Sequence, residues 1–236
     1  RSPAIFRKTL MFPYHKGTVF VVHLGRNSDW SGIDRAFKDP PISTEQILHP
    51  EKYMGKRDHP TVIDFPSSQT QLGDQWSILG DNSLGELQIR ILLNRQRDGT
   101  TAAAGWDGDR FEVYENKDGH LGLAWYLVWD SERDAAEFIV SYRDHNGIRW
   151  MVDGEEQLYE VWDDSARERL ATDSNRAVQA FSMELDGTVN VIVQQGEDVW
   201  VVEGRSEERR VGEECISLWA PFLSKKNSNH TLYTLS

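Results

Sequence analysis

The stretch STEQILHPEKY, residues 43–53, concentrates side chains that could do chemistry. It holds a Ser, two Glu, a His and a Tyr, and Glu45 and His49 lie four positions apart, so a helix would place both on one face. There they could pair with each other, or His49 could lie near the carbonyl groups at the C-terminus of the helix. Both of these roles are structural, and a catalytic role remains open beside them.

The local sequence predicts a short helix at this position. Ser43 lies three residues before Gln46, which is the spacing of a capping box, where each side chain satisfies an amide of the first turn. Pro50 cannot continue a helix and biases His49 away from helical dihedral angles. The helix should therefore be about two turns long at most.

A second dense stretch is AAAGWDGDRFEVY, residues 102–114. Asp107 and Asp109 beside Trp106 could form a sugar site with two carboxylates. Carboxylates this close together in a Gly-rich segment are more often turn residues that bind nearby backbone amides, and we favour that interpretation. Arg110 could pair with either acid. Trp106, Asp109 and Arg110 are accordingly the candidate binding residues.

Motifs that would make the chain an enzyme by itself are absent from the sequence. It contains no HExxH, no His pair at i and i+4, no Cys-based metal spacing, no phosphate loop and no G-x-S-x-G. The seven His residues are isolated from one another. We therefore expect no metal site, no cofactor, no stoichiometric zinc and no peptidase activity in this chain.

Composition excludes some partners. The 236 residues are 39% hydrophobic and 11% aromatic, which is enough for one or two ordinary cores. The net charge of −12 and the lack of a basic stripe argue against nucleic acid. No window is long and apolar enough for a membrane span. Cys215 is the only cysteine, and the composition fits a cytoplasmic or an exported protein equally well, so localisation stays open.

Residues 1–57 read as short helices with tight connections. Each is too short to be stable alone, so each must pack on something, and sequence upstream of Arg1 is the obvious partner. We interpret this segment as the C-terminal end of a larger helical domain. Apolar residues recur at helical spacing in two places: Val19, Phe20, His23 and Leu24, and then Trp30, Ile33, Ala36 and Phe37.

An α+β domain is predicted after a linker at residues 58–75. Residues 76–204 read as strand, helix, strand, strand, helix and hairpins, which resembles a split-βαβ (ferredoxin-like) antiparallel sheet with helices on one face. Ser83 and Glu86 have the spacing of a second capping box. The periodicity predicts a central strand in LGLAWYLVW, a helix in SERDAAEFIVSY with Ala135, Phe138, Ile139 and Tyr142 inward, and a strand in GIRWMV, residues 147–152.

The last segment, residues 205–236, differs from the rest. Its RSEERRVGEEC closely resembles the translation of a sequencing-adapter oligonucleotide that has been read into a gene. It shows no periodic apolar face. We predict a non-native disordered tail that contributes nothing to the fold.

Several motifs in order carry a resemblance to a known family. FPYHKGTVFVVHL, WSGIDRAFKDPPISTEQILHPEKY, LGELQIRILL, AAAGWDGDRFEVY and WYLVWDSERDAAEF resemble the C-terminal half of largely uncharacterised bacterial proteins related to HExxH zinc metallopeptidases. The resemblance covers residues 9–140. It departs at Asn27-Ser28-Asp29-Trp30, where the family has GGW, and at Asp107, where Gly is usual.

The resemblance implies that the zinc-binding helix lies in a missing N-terminal half, which would be the partner of this chain. The whole protein would then be a zinc-dependent hydrolase acting on a peptide or protein substrate. In such a site His49, oriented by Glu45, is the best candidate here for stabilising the oxyanion. The alternatives are that the helix only braces the peptidase half, or that the chain is an α+β binding or scaffold module without hydrolase activity.

Overall fold

A computed structural model describes residues 3–63, 76–93, 99–150, 158–159, 178–185 and 188–205. Most of the predicted linker and residues 206–236 of the predicted tail lie outside these ranges. The described part combines helices with an antiparallel sheet, so the predicted α+β class is confirmed. Among the described helices, none has the length and apolar composition that crossing a membrane would need.

The chain begins with a nearly continuous helical rod. Helix α1 (Ala4–Phe12) leads through a π-helical segment (Pro13–Gly17) into α2 (Thr18–Lys38). Pro13 has no amide hydrogen to donate, which fits the change of hydrogen-bond pattern at this point. Asp29 interrupts α2 with φ 53° and ψ −159°, a conformation that favours glycine.

Four further helices are short or partly buried. They are α3 (Thr44–Leu48), α4 (Glu51–Met54), α5 (Gly85–Leu92) and α6 (Glu132–Trp150). The length of α3 confirms the prediction of a helix of two turns at most. The four residues predicted to point inward from α6, at positions 135, 138, 139 and 142, are all buried.

Helix α6 also corrects the prediction of a strand over residues 147–152. The backbone stays helical through Trp150, so that prediction is wrong up to this residue. The physical reason is cooperativity, because adding one residue to a formed helix costs far less than starting a new element. Residues 151–157 lie outside the described ranges.

The described strands form one seven-stranded sheet. They are β1 (Trp76–Asn82), β2 (Trp106–Asn116), β3 (Leu121–Trp129), β4 (Leu158–Tyr159), β5 (Val178–Leu185), β6 (Thr188–Gln195) and β7 (Asp198–Arg205). Their spatial order is β1-β2-β3-β7-β6-β5-β4. Strand β3 has a neighbour on each side and is buried over most of its length, which confirms the predicted central strand.

The sheet order corrects the predicted split-βαβ plan. In that plan the strands before and after the first helix are parallel, with another strand between them. Here β1 and β2 are direct neighbours and antiparallel, pairing from Trp76 with Asn116 to Asn82 with Phe111. The order of elements from β1 to α6 was as predicted, but strand pairing is decided by contacts between distant residues, which the local pattern does not carry.

The last three strands form a meander of hairpins, as predicted. Strands β5 and β6 are antiparallel, pairing from Val178 with Gln195 to Leu185 with Thr188. Strands β6 and β7 are also antiparallel, pairing from Gln195 with Asp198 to Thr188 with Arg205. Arg205, where the predicted tail begins, therefore belongs to a strand of the sheet.

The chain divides into two compact units made of interleaved segments. The first contains Arg1–Ile63, Ser83–Arg110 and Leu127–Met151, and the second contains Asp64–Asn82, Phe111–Tyr126 and Val152–Ser236. The predicted domains follow the chain from end to end, whereas these units do not. In the first unit Trp129 stacks on Phe138, and in the second Tyr126 stacks on Trp200.

Candidate functional site

The first turn of α3 is capped as the sequence predicts. The Ser43 hydroxyl accepts a hydrogen bond from the Gln46 amide at 3.2 Å. Gln46 is fully buried, and its side-chain oxygen accepts from the amide of Ile42 rather than that of Ser43. Its side-chain nitrogen donates to the Asp58 carbonyl. These bonds tie α3 to the chain before and after it.

Behind this cap, three carboxylates surround one ammonium group. The Nζ of Lys52, on α4, lies 2.7 Å from Glu45, 3.0 Å from Asp58 and 2.5 Å from Asp130. The Glu45 side chain is only 1% exposed, whereas those of Asp58 and Asp130 are 37% and 36% exposed. We call these four residues the lysine cluster.

Burial and ion pairing have opposite effects on the pKa values of Glu45 and Lys52 in the lysine cluster. Burial raises the pKa of Glu45 to about 7, against the effect of Lys52, which lowers it. Burial lowers the pKa of Lys52, but hydrogen bonds to the three carboxylates outweigh burial and raise it above its ordinary value. One ammonium cannot neutralise three carboxylates, so Lys52 stays charged, and burial favours the protonated form of Glu45.

A second cluster lies at the C-terminal end of α3, around His49. His49 Nε2 is 2.9 Å from Oε1 of Glu86, and Arg90 is 2.7 Å from the same oxygen. Glu86 is completely buried, and its Oε2 has no hydrogen-bond partner among the described residues. The hydrogen bond to Glu86 raises the pKa of His49, and this effect exceeds that of burial, which lowers it. His49 Nδ1 lies 3.6 Å from the exposed Glu51. We call His49, Glu86 and Arg90 the histidine cluster.

The structure changes the role expected of Glu45. Sequence reasoning paired Glu45 with His49, but Glu45 binds Lys52, and Glu86 binds the imidazole. The two residues of α3 therefore face different partners. The reason is that His49 is the C-cap, with φ −126° and ψ 79°, so its side chain no longer follows the helical spacing.

Sequence reasoning missed several residues of these clusters. Lys52, Asp130 and Arg90 carry no local signal, because ion pairs between elements depend on the tertiary fold. Glu86 did carry a signal, which we interpreted as the acid of a capping box. That interpretation is wrong, because α5 begins at Gly85 and the residue before it is Leu84, not Ser83.

The carboxylates of the lysine cluster have the spacing of a cation site. One oxygen each from Glu45, Asp58 and Asp130 lies within 4.8 Å of the others. Zinc sites are built mainly from nitrogen and sulfur donors, and Lys52 already supplies a cation between these oxygens. The group therefore does not fit zinc, and we do not assign these residues as metal ligands.

The candidate binding residues of the second motif lie in β2. Trp106 and Asp109 are both buried, and the indole Nε1 donates to Asp109 Oδ1 at 3.0 Å. The Asp109 carboxylate also accepts from the amides of Leu84 and Gly85, at 2.8 Å each. It therefore caps α5 from another element. Arg110, the next residue along the chain, is half-buried.

The expectation that Asp107 and Asp109 are turn residues needs correction. Both lie within β2, which begins at Trp106. Asp109 does bind backbone amides, as expected, but those of the distant α5. Asp107 binds Thr61 through its side chain and its carbonyl. Burial raises the pKa of Asp107, ahead of the Thr61 hydrogen bond, which lowers it.

Comparison with known proteins gives one result. The family model for a domain of unknown function, DUF8575, matches residues 75–212. The match includes the sheet, α5, α6 and the first residues of the predicted tail. No curated protein and no solved structure matches the chain significantly. Because the matched residues make up more than half of the chain, it belongs to the family of this domain of unknown function, DUF8575.

Proposed function

We propose that this chain is the non-catalytic C-terminal part of a bacterial zinc metallopeptidase-like protein. In this proposal the metal and its ligands belong to a preceding half, and the first helices of this chain form the surface on which that half packs. Two observations support the proposal. One is the resemblance over residues 9–140, and the other is the distribution of apolar side chains on α1 and α2, which carries the argument.

Helix α1 is apolar on opposite sides. Phe12 is buried on the inner side, and Thr9 exchanges hydrogen bonds with Gln88 of α5. On the outer side Phe6 and Leu10, four residues apart, are 61% and 70% exposed. An apolar stripe on a helix is normally packed against another element. The outer side of α1 is therefore suited to a covering layer.

The same pattern continues along the rod. Tyr14 follows Leu10 after four residues and is exposed, and beyond the kink Trp30 and Phe37 are 79% and 84% exposed. Exposed apolar groups of this size and number mark an interaction site on a soluble protein. We call Phe6, Leu10, Tyr14, Trp30 and Phe37 the outer apolar set.

His49 has a defined place in this proposal. Glu86 and Arg90 occupy its Nε2 edge, so only the Nδ1 edge, near the exposed Glu51, can donate to a substrate oxyanion. In the full-length protein, His49→Ala would lower kcat about 10² to 10³-fold if the imidazole has that role. If the full-length variant keeps its turnover and loses only stability, the role of α3 is structural and His49 does not act in catalysis.

Reading the gene upstream of Arg1 is the first test. An HExxH motif followed by a glutamate-bearing helix is the expected finding. A different upstream domain would favour the second candidate, an α+β binding or scaffold module. In that case another protein would bind to the outer apolar set of this chain.

A binding experiment tests the surface itself. The upstream half is produced as a separate polypeptide and its affinity for this chain is measured by calorimetry. Phe6→Glu and Trp30→Glu should each weaken binding at least tenfold, since each places a charge in an apolar contact. Both should leave the melting temperature of this chain alone nearly unchanged, because both side chains are exposed. The matched control is Arg26→Glu, an exposed polar site on α2. Equal affinities for all three variants would contradict the proposal.

A further inference from the structure

The lysine cluster and the histidine cluster together hold an excess of negative charge. Glu45, Asp58, Asp130 and Glu86 contribute four carboxylates, and Lys52 and Arg90 contribute two cations. Two of the carboxylates, Glu45 and Glu86, are almost completely buried. Uncompensated charge is costly in such a place.

Two protons would remove this excess. One can be bound by His49, which lies against Glu86, and the other by Glu45, which lies deepest in the lysine cluster. The groups at the periphery act in the same direction. Asp107 lies in the field of Asp58 and Asp130, and Glu51 lies beside His49, so both add negative charge and favour protonation.

We infer that the corner formed by α3 and α4, residues 43–58, is a pH-sensitive device that tightens on mild acidification and loosens above neutral pH. With both protons bound, the inner groups are neutral overall, and α3 is held to α4 by Lys52 and to α5 by Glu86. When the protons leave, two buried negative charges are no longer balanced, and α3 separates more readily from α4 and from α5. This inference is independent of the proposed function.

The direction follows from both titrating groups. Glu45 and His49 each have a pKa above the ordinary value, so the folded chain binds more protons than the unfolded chain in the intervening pH range. Stability is therefore greatest below the unfolded pKa of each group and falls as pH rises through the folded pKa. For Glu45 this window runs from 4.5 to about 7, and for His49 it starts at 6.5.

Thermal unfolding between pH 5.5 and 8.5 tests the inference. The wild-type melting temperature should fall by on the order of 5 °C over this range. Glu45→Gln should reduce the fall and melt above wild type at pH 8.5, because the amide removes a buried charge. His49→Asn should lower stability more at pH 5.5 than at pH 8.5, and the double variant should be nearly independent of pH. Asp34→Asn, an exposed site on α2, should follow wild type.

Hydrogen exchange on the wild type gives an answer even if a variant fails to fold. After correction for intrinsic rates, amides of residues 44–58 should lose roughly tenfold more protection from pH 5.5 to 8.5 than those of Val191–Val193 in β6. Equal changes in the two segments would overturn the inference. So would a wild-type melting temperature that is flat or rises with pH, or a double variant that keeps the wild-type slope.

Discussion

The first 38 residues and the corner at residues 43–58 distribute polarity in opposite ways. The outer apolar set leaves five large side chains in water, while the corner buries the Glu45 carboxylate and contacts the buried carboxylate of Glu86 through His49. Both arrangements cost free energy relative to the ordinary one, in which apolar groups are inside and charges outside. In the proposed function a partner would cover the exposed apolar groups, whereas the buried carboxylates find their counter-charges, Lys52 and Arg90, within the chain.

The largest effect is expected from removing a buried aromatic ring of α2 and comparing it with the removal of an exposed one. Phe20 is 4% exposed and meets Tyr53 edge to face, with ring centroids 5.2 Å apart. Phe20→Ala should lower the free energy of unfolding by about 3 to 5 kcal/mol, measured in urea. Phe37→Ala, the matched control, should cost less than about 0.5 kcal/mol. If Phe37→Ala is equally costly, the outer side of α2 is covered within this chain.

Removing the cation of the lysine cluster should have the next largest effect. Lys52→Met leaves three carboxylates without their ammonium group, and breaking a buried pair costs about 3 to 5 kcal/mol. The Lys52 side chain is 22% exposed, so solvent screening should reduce this to roughly 2 kcal/mol. Lys38→Met, at an exposed site at the end of α2, is the control and should change little. If Lys52→Met and the wild type were equally stable, the charges of the lysine cluster would be stabilised by water and not by Lys52.

The cap of α3 gives a smaller and simpler effect. Ser43→Ala removes the acceptor for the Gln46 amide and should cost about 1 kcal/mol in chemical denaturation, with no dependence on pH between 5.5 and 8.5. Ser31→Ala is matched to it, because the Ser31 hydroxyl donates to the Ser28 carbonyl at an exposed site. A cost that varies with pH would indicate that the cap and the titrating groups act as one unit.

The kink at Asp29 should give the smallest effect, and in the opposite direction. Its φ of 53° and ψ of −159° strain any residue with a Cβ atom. Asp29→Gly should therefore raise the free energy of unfolding by about 0.5 to 1 kcal/mol, less the entropy that glycine gains in the unfolded chain. Asp34→Gly, within regular helix, should be destabilising by about 1 kcal/mol. A destabilised Asp29→Gly variant would mean that the Asp side chain compensates for the strain.

Local signals in the sequence predicted the elements well. The Ser43 cap, the short α3, the inward residues of α6 and the β5–β6 hairpin all follow from neighbours within a few residues. The predicted strand at 147–152 failed up to Trp150 for the same reason, because its local pattern could not weigh the cost of ending α6. The capping box at Ser83 failed because Asp109, far along the chain, caps α5 instead.

Periodicity and composition were enough to predict the α+β class, the central strand and the apolar residues on both halves of α2. Only the tertiary structure decided that β1 pairs with β2, that Glu86 rather than Glu45 binds His49, and that Lys52 gathers three carboxylates. These contacts join residues from 6 positions apart, Lys52 and Asp58, to 78 positions apart, Lys52 and Asp130. Their partners are chosen by how the packed elements bring charges together, and spacing along the chain does not encode that choice.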